Sequence, residues 1–396
     1  GGQPGHKGSY RQLLPADQVD KIVDIFPQRC DVCFEKPPHI LEQDPERHQV
    51  VELLEFGGRF ITEYRLHTVD CACGEKVTAE RDQVPSSAFG PRLSATVCLM
   101  TGDCQMSRRQ VPVFLKEVFG IDMSLGSVSN IEGRMSKALA APSDEAMARV
   151  EASMVKHVDE TSWIRDAQRC SAWVFASLVA TVIRVAKNGR RSTLRKLLKR
   201  SRGTLISDRA TVFLYWAMAR RQICWSHLLR MFIAFSQRDG PAGALGRELV
   251  EYAELVFIYW RQHRSGGLSR ESYMRRIEAV REGMKPCLRR AVQAKISTMS
   301  GSCANMLKHW EAMWTFVHTP GVEPTNNHAE RELRRLVIWR KRCFGTQSNR
   351  GDRFVERMLT VTHTARKQGH RALAFLHQSY TAMLSAAPPP SLFAAA

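Results

Sequence analysis

Three acidic residues stand at positions where a carboxylate can bind a metal ion. Asp159 lies in the strand-like run "HVDET", Asp208 ends the apolar stretch "LISD", and Glu330 lies in the helix-like segment "PTNNHAERELRR". Carboxylates at strand ends that face a carboxylate on a helix suit a pair of Mg²⁺ (or Mn²⁺) ions, because these hard cations prefer oxygen ligands. Two such ions about 4 Å apart stabilise an in-line phosphoryl displacement. The three acids therefore predict a metal-dependent phosphoryl-transfer site.

The helix that carries Glu330 also carries Glu332, and only one of the two can face the other acids. Residues two apart on a helix point in nearly opposite directions, about 200° apart. Glu330 shares a face with Leu333 and Val337, so we expect it to point inwards as the metal ligand. Glu332 aligns with Arg335, and we expect these two to form an ion pair on the surface.

Two segments are strongly basic. Residues 331–353 carry eight Arg or Lys against two acids, and residues 189–203 carry seven against none. Such segments can bind the phosphates of a nucleic acid, although a solvated helix face remains the alternative for any single arginine. Trp339 and Phe344, which flank the first patch, are expected to be core residues rather than platforms for stacked bases. The residues predicted to bind DNA are Asn327, Arg331, Arg334, Arg335, Arg340, Lys341 and Arg342.

Four of the eleven cysteines form two close pairs. Cys30 and Cys33 make one pair, and Cys71 and Cys73 make the other. Two thiolate pairs on neighbouring hairpins can surround a structural Zn²⁺ ion, and buried free thiols are the alternative. The spacing of Cys224 and His227 also resembles that of metal ligands. Without a second pair, we interpret them as a core cysteine and a polar histidine.

The composition limits the class of protein. The formal net charge of +19 over 396 residues favours a polyanionic partner, most often nucleic acid, over a merely soluble basic protein. The sequence has no run of 18 apolar residues and no signal peptide, so we expect no membrane partner. The scattered cysteines fit a reducing cytoplasm. Residue 1 is Gly rather than Met, and we expect that the chain lacks its natural start.

The pattern of elements predicts an α/β multidomain protein. Short strands precede residue 88, amphipathic helices follow, and strands then alternate with helices before a long helical stretch. Within the alternating part, we expect "SAWVFASLVATVIRVA" to form a pair of strands and "ATVFLYWAMAR" to form a helix. The pair of helices around "GIDMSLGS" is helix-turn-helix-like, and a plain helical hairpin is the alternative. The expected parts are a flexible arm (1–20), a zinc-binding ribbon-like domain (21–88), a helical segment that can bind DNA (89–152), a catalytic domain (153–349) with an all-helical insertion (226–318), C-terminal helices (350–384) and a disordered tail (385–396).

The chain resembles the transposases of the insertion-sequence-66 family across nearly its whole length. The resemblance is carried, in family order, by "GGQPGHKG", "HVDET", "LISD", "CWSHLLRMF", "NNHAERELRRLVIWRKRCFGTQS" and "TARKQGH". It implies a ribonuclease H-like catalytic domain with a DDE triad of Asp159, Asp208 and Glu330. It also implies a DNA transposase that cleaves transposon ends and transfers strands into double-stranded target DNA.

The resemblance implies a setting as well as an activity. We expect a bacterial, nucleoid-associated cytoplasmic protein that acts as a homo-oligomer on DNA, with accessory proteins of the same element as further partners. Two alternatives stay open. One is a zinc-containing DNA-binding protein whose nuclease is inactive, and the other is a ribonuclease H-like nuclease that cuts DNA without joining it.

Overall fold

The computed structural model is a mixed α/β protein that falls into two compact units. It describes residues 12–38, 44–53 and 58–394. The first unit comprises residues 1–142 with 370–396, and the second comprises residues 143–369. Residues 1–11, most of the predicted flexible arm, lie outside the described residues. Within the rest of that arm, the backbone N–H of Leu14 donates to the side chain of Gln49.

The first unit begins with two small sheets. Strand β3 lies between β1, with which it is parallel, and β2, with which it is antiparallel. Strands β4 and β5 form a separate antiparallel hairpin. The strands are β1 (Lys21–Ile25), β2 (Glu46–Leu53), β3 (Arg59–Leu66), β4 (Thr68–Asp70) and β5 (Lys76–Thr78).

Helices follow in the same unit. They are α1 (Pro91–Cys98), α2 (Gln110–Phe119) and α3 (Leu125–Ala138). The predicted boundary of the helix pair is confirmed: Gly120 ends α2 in the left-handed conformation that glycine adopts without strain. Ser124 then caps α3, because its side chain accepts a hydrogen bond from the backbone N–H of Ser127. Helix α4 (Ala140–Ala152) leads into the second unit.

A five-stranded mixed sheet forms the centre of the second unit. Strands β6, β7 and β8 are an antiparallel meander, and β9 and β10 run parallel to β6, in the spatial order β10-β9-β6-β7-β8. The apolar run 171–186 splits into two strands, as predicted, at a tight turn in which Ser177 N–H donates to the carbonyl of Ala180. The strands are β6 (Val155–Arg165), β7 (Gln168–Ala176), β8 (Thr181–Ala186), β9 (Thr204–Ser207) and β10 (Arg221–Ile223), and the basic helix α5 (Arg191–Leu197) lies between β8 and β9.

The stretch predicted to be an all-helical insertion contains helices joined by short connections. Its core contains large buried side chains that include Trp225, Phe232, Tyr273 and Trp314. The helices are α6 (Trp225–Ser236), α7 (Gly240–Arg264), α8 (Arg270–Gln293), α9 (Met299–Lys308), α10 (Trp310–Met313) and α11 (Thr315–His318). None of the helices in the described part of the chain combines the length and apolar character that crossing a membrane requires.

Three long helices follow, and they do not all belong to the same unit. Helix α12 (Asn327–Cys343) packs on β6 and β7, and α13 (Asn349–Lys367) packs on β8. Helix α14 (Ala372–Leu384) instead packs on α1 and α3 of the first unit. The two helices predicted after residue 350 therefore exist but belong to separate units.

Helix α13 occupies the hydrogen-bonding edge of strand β8. The backbone N–H groups of Thr181, Ile183 and Val185 donate to the side chains of Thr364, Thr360 and Glu356, respectively. The spacing matches because four helical residues rise about 6 Å and two strand residues about 6.7 Å. Side chains thus replace the missing neighbouring strand and prevent the edge from pairing with another chain.

Three local expectations were wrong. The run "ATVFLYWAMAR" forms two 3₁₀ turns, Thr211–Tyr215 and Met218–Arg220, rather than one helix. Phe344 is 72% exposed instead of buried, because it ends α12 in a left-handed conformation. In the tail expected to be disordered, Leu392 is fully buried and its carbonyl is hydrogen-bonded to the ring of His370.

The edge contacts of β8 generate a stability prediction. Replacing Thr360 by the isosteric Val leaves the buried N–H of Ile183 without its acceptor, which should cost about 1–3 kcal/mol. We expect a Tm about 2–4 °C lower for each kcal/mol lost, measured by thermal unfolding. The control is Thr381→Val at an exposed position of α14, where the Tm should not change. Equal effects in both variants would contradict the edge role of Thr360.

Candidate functional site

Two of the predicted acids lie side by side where the parallel pairing of β6 with β9 ends; β9 stops there, whereas β6 continues to Arg165. In the β6–β9 register, Lys156 pairs with Leu205 and His157 with Ile206, so two residues further on Asp159 lies beside Asp208. Asp208 directly follows β9, and its Oδ1 accepts a hydrogen bond from the N–H of Ala210 at 2.9 Å. This contact turns the chain immediately after the strand and fixes the carboxylate at the edge of the sheet.

The third acid, Glu330, lies in the first turn of α12. Its side chain is 32% exposed, and its Oε1 lies 3.5 Å from Nδ1 of His227 and 3.4 Å from the guanidinium of Arg230, both on α6. The backbone N–H of Glu330 donates to the carbonyl of Asn326. Glu330 thus faces the start of α6, in a position where its charge also acts on Asp159.

The electrostatics show that the three carboxylates are neighbours. Burial first, and then the charges of Asp208, Glu330 and Glu160, raise the pKa of Asp159 to about 7, although the backbone N–H of Glu160 lowers it. Like charges held together in a partly dry site disfavour ionisation, and a bound cation reverses that preference. The site therefore has the electrostatic character of a cation-binding site.

The buried side chain of Asn326 joins the elements that carry the three acids. Its Nδ2 donates to the carbonyl of Val158 at 2.9 Å, directly before Asp159, and its Oδ1 lies 3.2 Å from Nδ1 of His157. Its backbone N–H donates to Sγ of Cys224 at 3.1 Å, and the N–H of Cys224 donates to the carbonyl of Ser207, directly before Asp208. Although Asn326 precedes α12, its side chain does not cap that helix.

His157 is held neutral beside this junction. Burial lowers its pKa to about 3, and the nearby His328 lowers it in the same direction. Because the amide nitrogen of Asn326 donates to β6, its oxygen is the atom that faces His157, so Nδ1 of His157 carries the hydrogen. A neutral ring adds no positive charge that would compete with a cation for the carboxylates.

The expectation for Glu332 was wrong. Its side chain is only 17% exposed, and its carboxylate accepts hydrogen bonds from His363 and from Lys367, the latter at 3.2 Å. Burial alone would raise the pKa of Glu332, but His363 and Lys367 outweigh burial and hold it at about 2. The periodicity of α12 alone did not reveal that α13 covers this face.

The predicted DNA-binding residues of α12 lie in different surroundings. Arg340 donates to Oγ1 of Thr161 and to the carbonyl of Ser162, so it fastens α12 to β6. Asn327 is exposed, and its side chain accepts a hydrogen bond from Ser226. Trp339 is buried as predicted. The remaining residues are exposed Arg331, Arg334, Lys341 and Arg342 and half-buried Arg335.

The second basic segment forms one wall of a groove of about 1120 Å³. The sequence predicted the basic residues of this groove but not its aromatic wall, because the segment that contains Tyr215 and Trp216 was expected to form a helix. Burial raises the pKa of Tyr215 to about 12, so its hydroxyl stays neutral. The basic side chains that line the groove are Arg190, Arg191, Arg195, Lys196 and Lys199.

The four predicted cysteine ligands meet in the first unit. Sγ of Cys30 lies 3.5 Å from Sγ of Cys73, and Sγ of Cys33 lies 3.2 Å from Sγ of Cys71. A tetrahedral Zn²⁺ with bonds of about 2.3 Å separates its sulfurs by about 3.8 Å, so the cluster can hold a zinc ion. Backbone N–H groups, first that of Cys33, lower the pKa of Cys30 to about 7 and favour the thiolate that binds metal.

The corrected position of Glu332 generates a prediction. Glu332→Gln should lose about 2–3 kcal/mol of stability at pH 7, because the His363 and Lys367 contacts lose their charged acceptor. The pKa of Glu332 is lower in the folded state, so this contribution is present above about pH 4.5 and disappears as the pH falls towards 2. Chemical denaturation of the parent and the variant at pH 7 and at pH 3 measures the loss of stability at each pH. Equal losses at the two pH values would contradict the ion-pair role, and Glu254→Gln, an exposed change on α7, is the control.

Comparison with known proteins places these features in a family. A family model described as Transposase IS66 family matches residues 87–353, more than half of the chain. The uncharacterized protein y4hP of Sinorhizobium fredii (strain NBRC 101917 / NGR234) is 26% identical over 409 residues, which cover 91% of this chain and 71% of that protein. The matched residues include all three acids and the basic groove. The chain belongs to the IS66 family of transposases.

Proposed function

We propose that the chain is a DNA transposase that cleaves strands at transposon ends and joins them to target DNA, with Asp159, Asp208 and Glu330 as its catalytic acids. The observation that carries this proposal is that Asp159 on β6 lies beside Asp208 directly after β9, within electrostatic reach of Glu330. Family membership supports the coarser role. The sheet, a three-stranded meander followed by two strands parallel to its first strand, supports a ribonuclease H-like assignment.

The donor set suits two Mg²⁺ or Mn²⁺ ions. Asp159, Asp208 and Glu330 would hold these ions through their carboxylate oxygens. When bound, the ions would lower the pKa of a water molecule and stabilise the entering and leaving oxygens of an in-line displacement. The chain itself holds three carboxylates against their mutual repulsion, and Asn326 keeps their elements in register.

Two displacements at phosphorus give the proposed outcome. In the first, water replaces the 3′-oxygen of a phosphodiester at the transposon end, and that oxygen leaves as a 3′-hydroxyl. In the second, this hydroxyl attacks a phosphodiester of the target, forming one P–O bond as another breaks. Neither step requires a covalent bond to the protein. Because a transposon has two ends, we expect a homo-oligomer on DNA. Accessory proteins of the same element are also predicted partners.

Basic surfaces of the second unit support DNA binding. The groove between α5 and the Tyr215–Trp216 segment presents several cations beside aromatic rings, and the loop after Asp208 leads directly into it. The exposed arginines of α12 start one residue after Glu330. We also propose that the four-cysteine cluster binds a structural Zn²⁺, because four protein ligands leave no open position.

One experiment separates the proposed function from its rivals. The protein is incubated with labelled transposon-end duplexes, target DNA and Mg²⁺, and the products are resolved by size. The proposal expects joined products. Binding without cleavage would indicate an inactive DNA-binding protein, and cleavage without joining would indicate a nuclease.

Removal of a single carboxylate charge tests the catalytic acids. Asp159→Asn, Asp208→Asn and Glu330→Gln should each lower strand cleavage at least tenfold while binding to duplex DNA is retained, because the amide keeps the shape but loses the charge that binds metal. In EDTA at pH 8, Asp159→Asn should also unfold at a higher temperature. Because the pKa of Asp159 is raised in the folded state, the free energy of unfolding falls as the pH rises through 7. The amide carries no charge that the neighbouring carboxylates repel, so it should raise the free energy of unfolding by about 1–2 kcal/mol. Cleavage above a tenth of the parent rate would exclude that residue from the triad.

Salt dependence tests the groove. If six phosphates are neutralised, affinity for a duplex should fall roughly a thousandfold between 50 and 200 mM salt. The double variant Arg195→Ala/Lys199→Ala should reduce the slope of log K against log salt by about 2, since each contact contributes about 0.9. Arg275→Ala/Arg289→Ala removes the same charge from exposed positions of α8 and should leave the slope unchanged. Identical slopes for the two double variants would rule out the groove as a DNA contact.

A further inference from the structure

The cysteine and histidine at the start of α6 have no role in the proposed reaction, yet they lie against one of its acids. Sγ of Cys224, a ring nitrogen of His227 and a carboxylate oxygen of Glu330 all lie within 4.8 Å of one another. The sequence spacing of Cys224 and His227 suggested ligands but supplied only two. The fold supplies the third from α12, about a hundred residues later in the chain.

Local structure explains how the three side chains converge. Cys224 immediately precedes α6, so His227, three residues later, lies on the same face of the first turn. Glu330 occupies the first turn of α12, which faces this end of α6 through the hydrogen bond between Ser226 and Asn327. Both helices start at this point, where the backbone N–H of Asn326 donates to the side-chain Sγ of Cys224.

Two observations point to a ligand at this cluster. Nδ1 of His227 is buried and has no hydrogen-bond partner among the described residues, although a carboxylate oxygen lies 3.5 Å away. Sγ of Cys224 is buried beside the same carboxylate and accepts a hydrogen bond from the backbone N–H of Asn326 at 3.1 Å. A bound cation would satisfy the ring nitrogen and offset the cost of the buried thiolate.

We propose that Cys224, His227 and Glu330 form a binding site for a thiophilic divalent metal such as Zn²⁺. Zn²⁺ takes sulfur, imidazole nitrogen and carboxylate oxygen together, and three protein ligands leave one position for water. Mg²⁺ binds oxygen ligands and disfavours this set. The site is thus separate in chemistry from the all-carboxylate site, although the two share Glu330.

Arg230 opposes metal binding and so provides a specific test. Its guanidinium lies 3.4 Å from the same oxygen of Glu330, and its side chain is 60% exposed. A cation at the cluster must displace this positive charge, which can move into solvent. Removing it should therefore strengthen metal binding, whereas removal of a ligand should weaken it.

If the proposed function holds, sharing Glu330 makes the two sites compete. A carboxylate that binds Zn²⁺ with Cys224 and His227 is withdrawn from Asp159 and Asp208. We therefore expect micromolar Zn²⁺ to inhibit Mg²⁺-dependent cleavage, and a higher Mg²⁺ concentration to relieve the inhibition. This consequence rests on the proposed function, but the binding of the metal does not.

The experiment measures binding without DNA. The full chain is first loaded with Zn²⁺ at the four-cysteine cluster, and Co²⁺ alone is then titrated while the absorption band of cobalt–thiolate coordination is followed. One equivalent should produce the band in the parent protein. Affinity should fall at least tenfold in Cys224→Ser, His227→Ala and Glu330→Gln, and should rise in Arg230→Ala.

Control variants outside the cluster test whether the loss of Co²⁺ binding is specific to the proposed ligands. His318→Ala removes an exposed histidine at the end of α11 and should bind Co²⁺ like the parent. Asp208→Asn removes a catalytic acid that is not in the cluster and should also retain the band. Because His227 and Arg230 are partly exposed, their variants test the site even if Cys224→Ser does not fold. Absence of the band in the parent, or an unchanged affinity in His227→Ala, would overturn the proposal. A parent protein that shows the band but does not cleave transposon-end DNA would instead count against the proposed function.

Discussion

The hydrogen bonds of one buried residue, Asn326, hold together the elements that carry the candidate site. Its side chain bonds β6 one residue before Asp159, its backbone N–H bonds Cys224, and its carbonyl accepts from Glu330. Cys224 in turn bonds β9 one residue before Asp208. Each acid, or the residue directly before it, is therefore connected to Asn326 by one or two hydrogen bonds. A buried polar side chain that satisfies partners on several elements specifies one arrangement, because any other leaves its groups unpaired.

Around this junction, the protein separates charges that would otherwise cancel. The three candidate acids gather on one side of α12 with a raised pKa at Asp159. On another face of the same helix, His363 and Lys367 neutralise Glu332. Burial lowers the pKa of His328 to about 4, so the stacked rings of His157 and His328 between these regions stay neutral. At the candidate site, the exposed guanidinium of Arg230 beside Glu330 supplies positive charge, and the two histidine rings add none.

Helix α13 has two roles that explain its burial. One face supplies Thr360, Thr364 and Glu356 to the edge of β8, and another supplies the partners of Glu332. It thereby connects the far edge of the sheet to the helix that carries Glu330. The position of that carboxylate depends on packing at both ends of the sheet rather than on α12 alone.

The sequence by itself determined most of the element types and the two cysteine pairs that meet in one cluster, and it displayed the three candidate acids and the basic segments. Each of these depends on residue type and local spacing, which a single sequence displays directly. Only the tertiary structure showed that α13 covers Glu332, that Phe344 is exposed, and that Arg340 is hydrogen-bonded to β6. It also brought Glu330 to Cys224 and His227. These outcomes depend on contacts between residues about 30 to 180 positions apart, and the periodicity of one helix does not specify which neighbour will cover each of its faces.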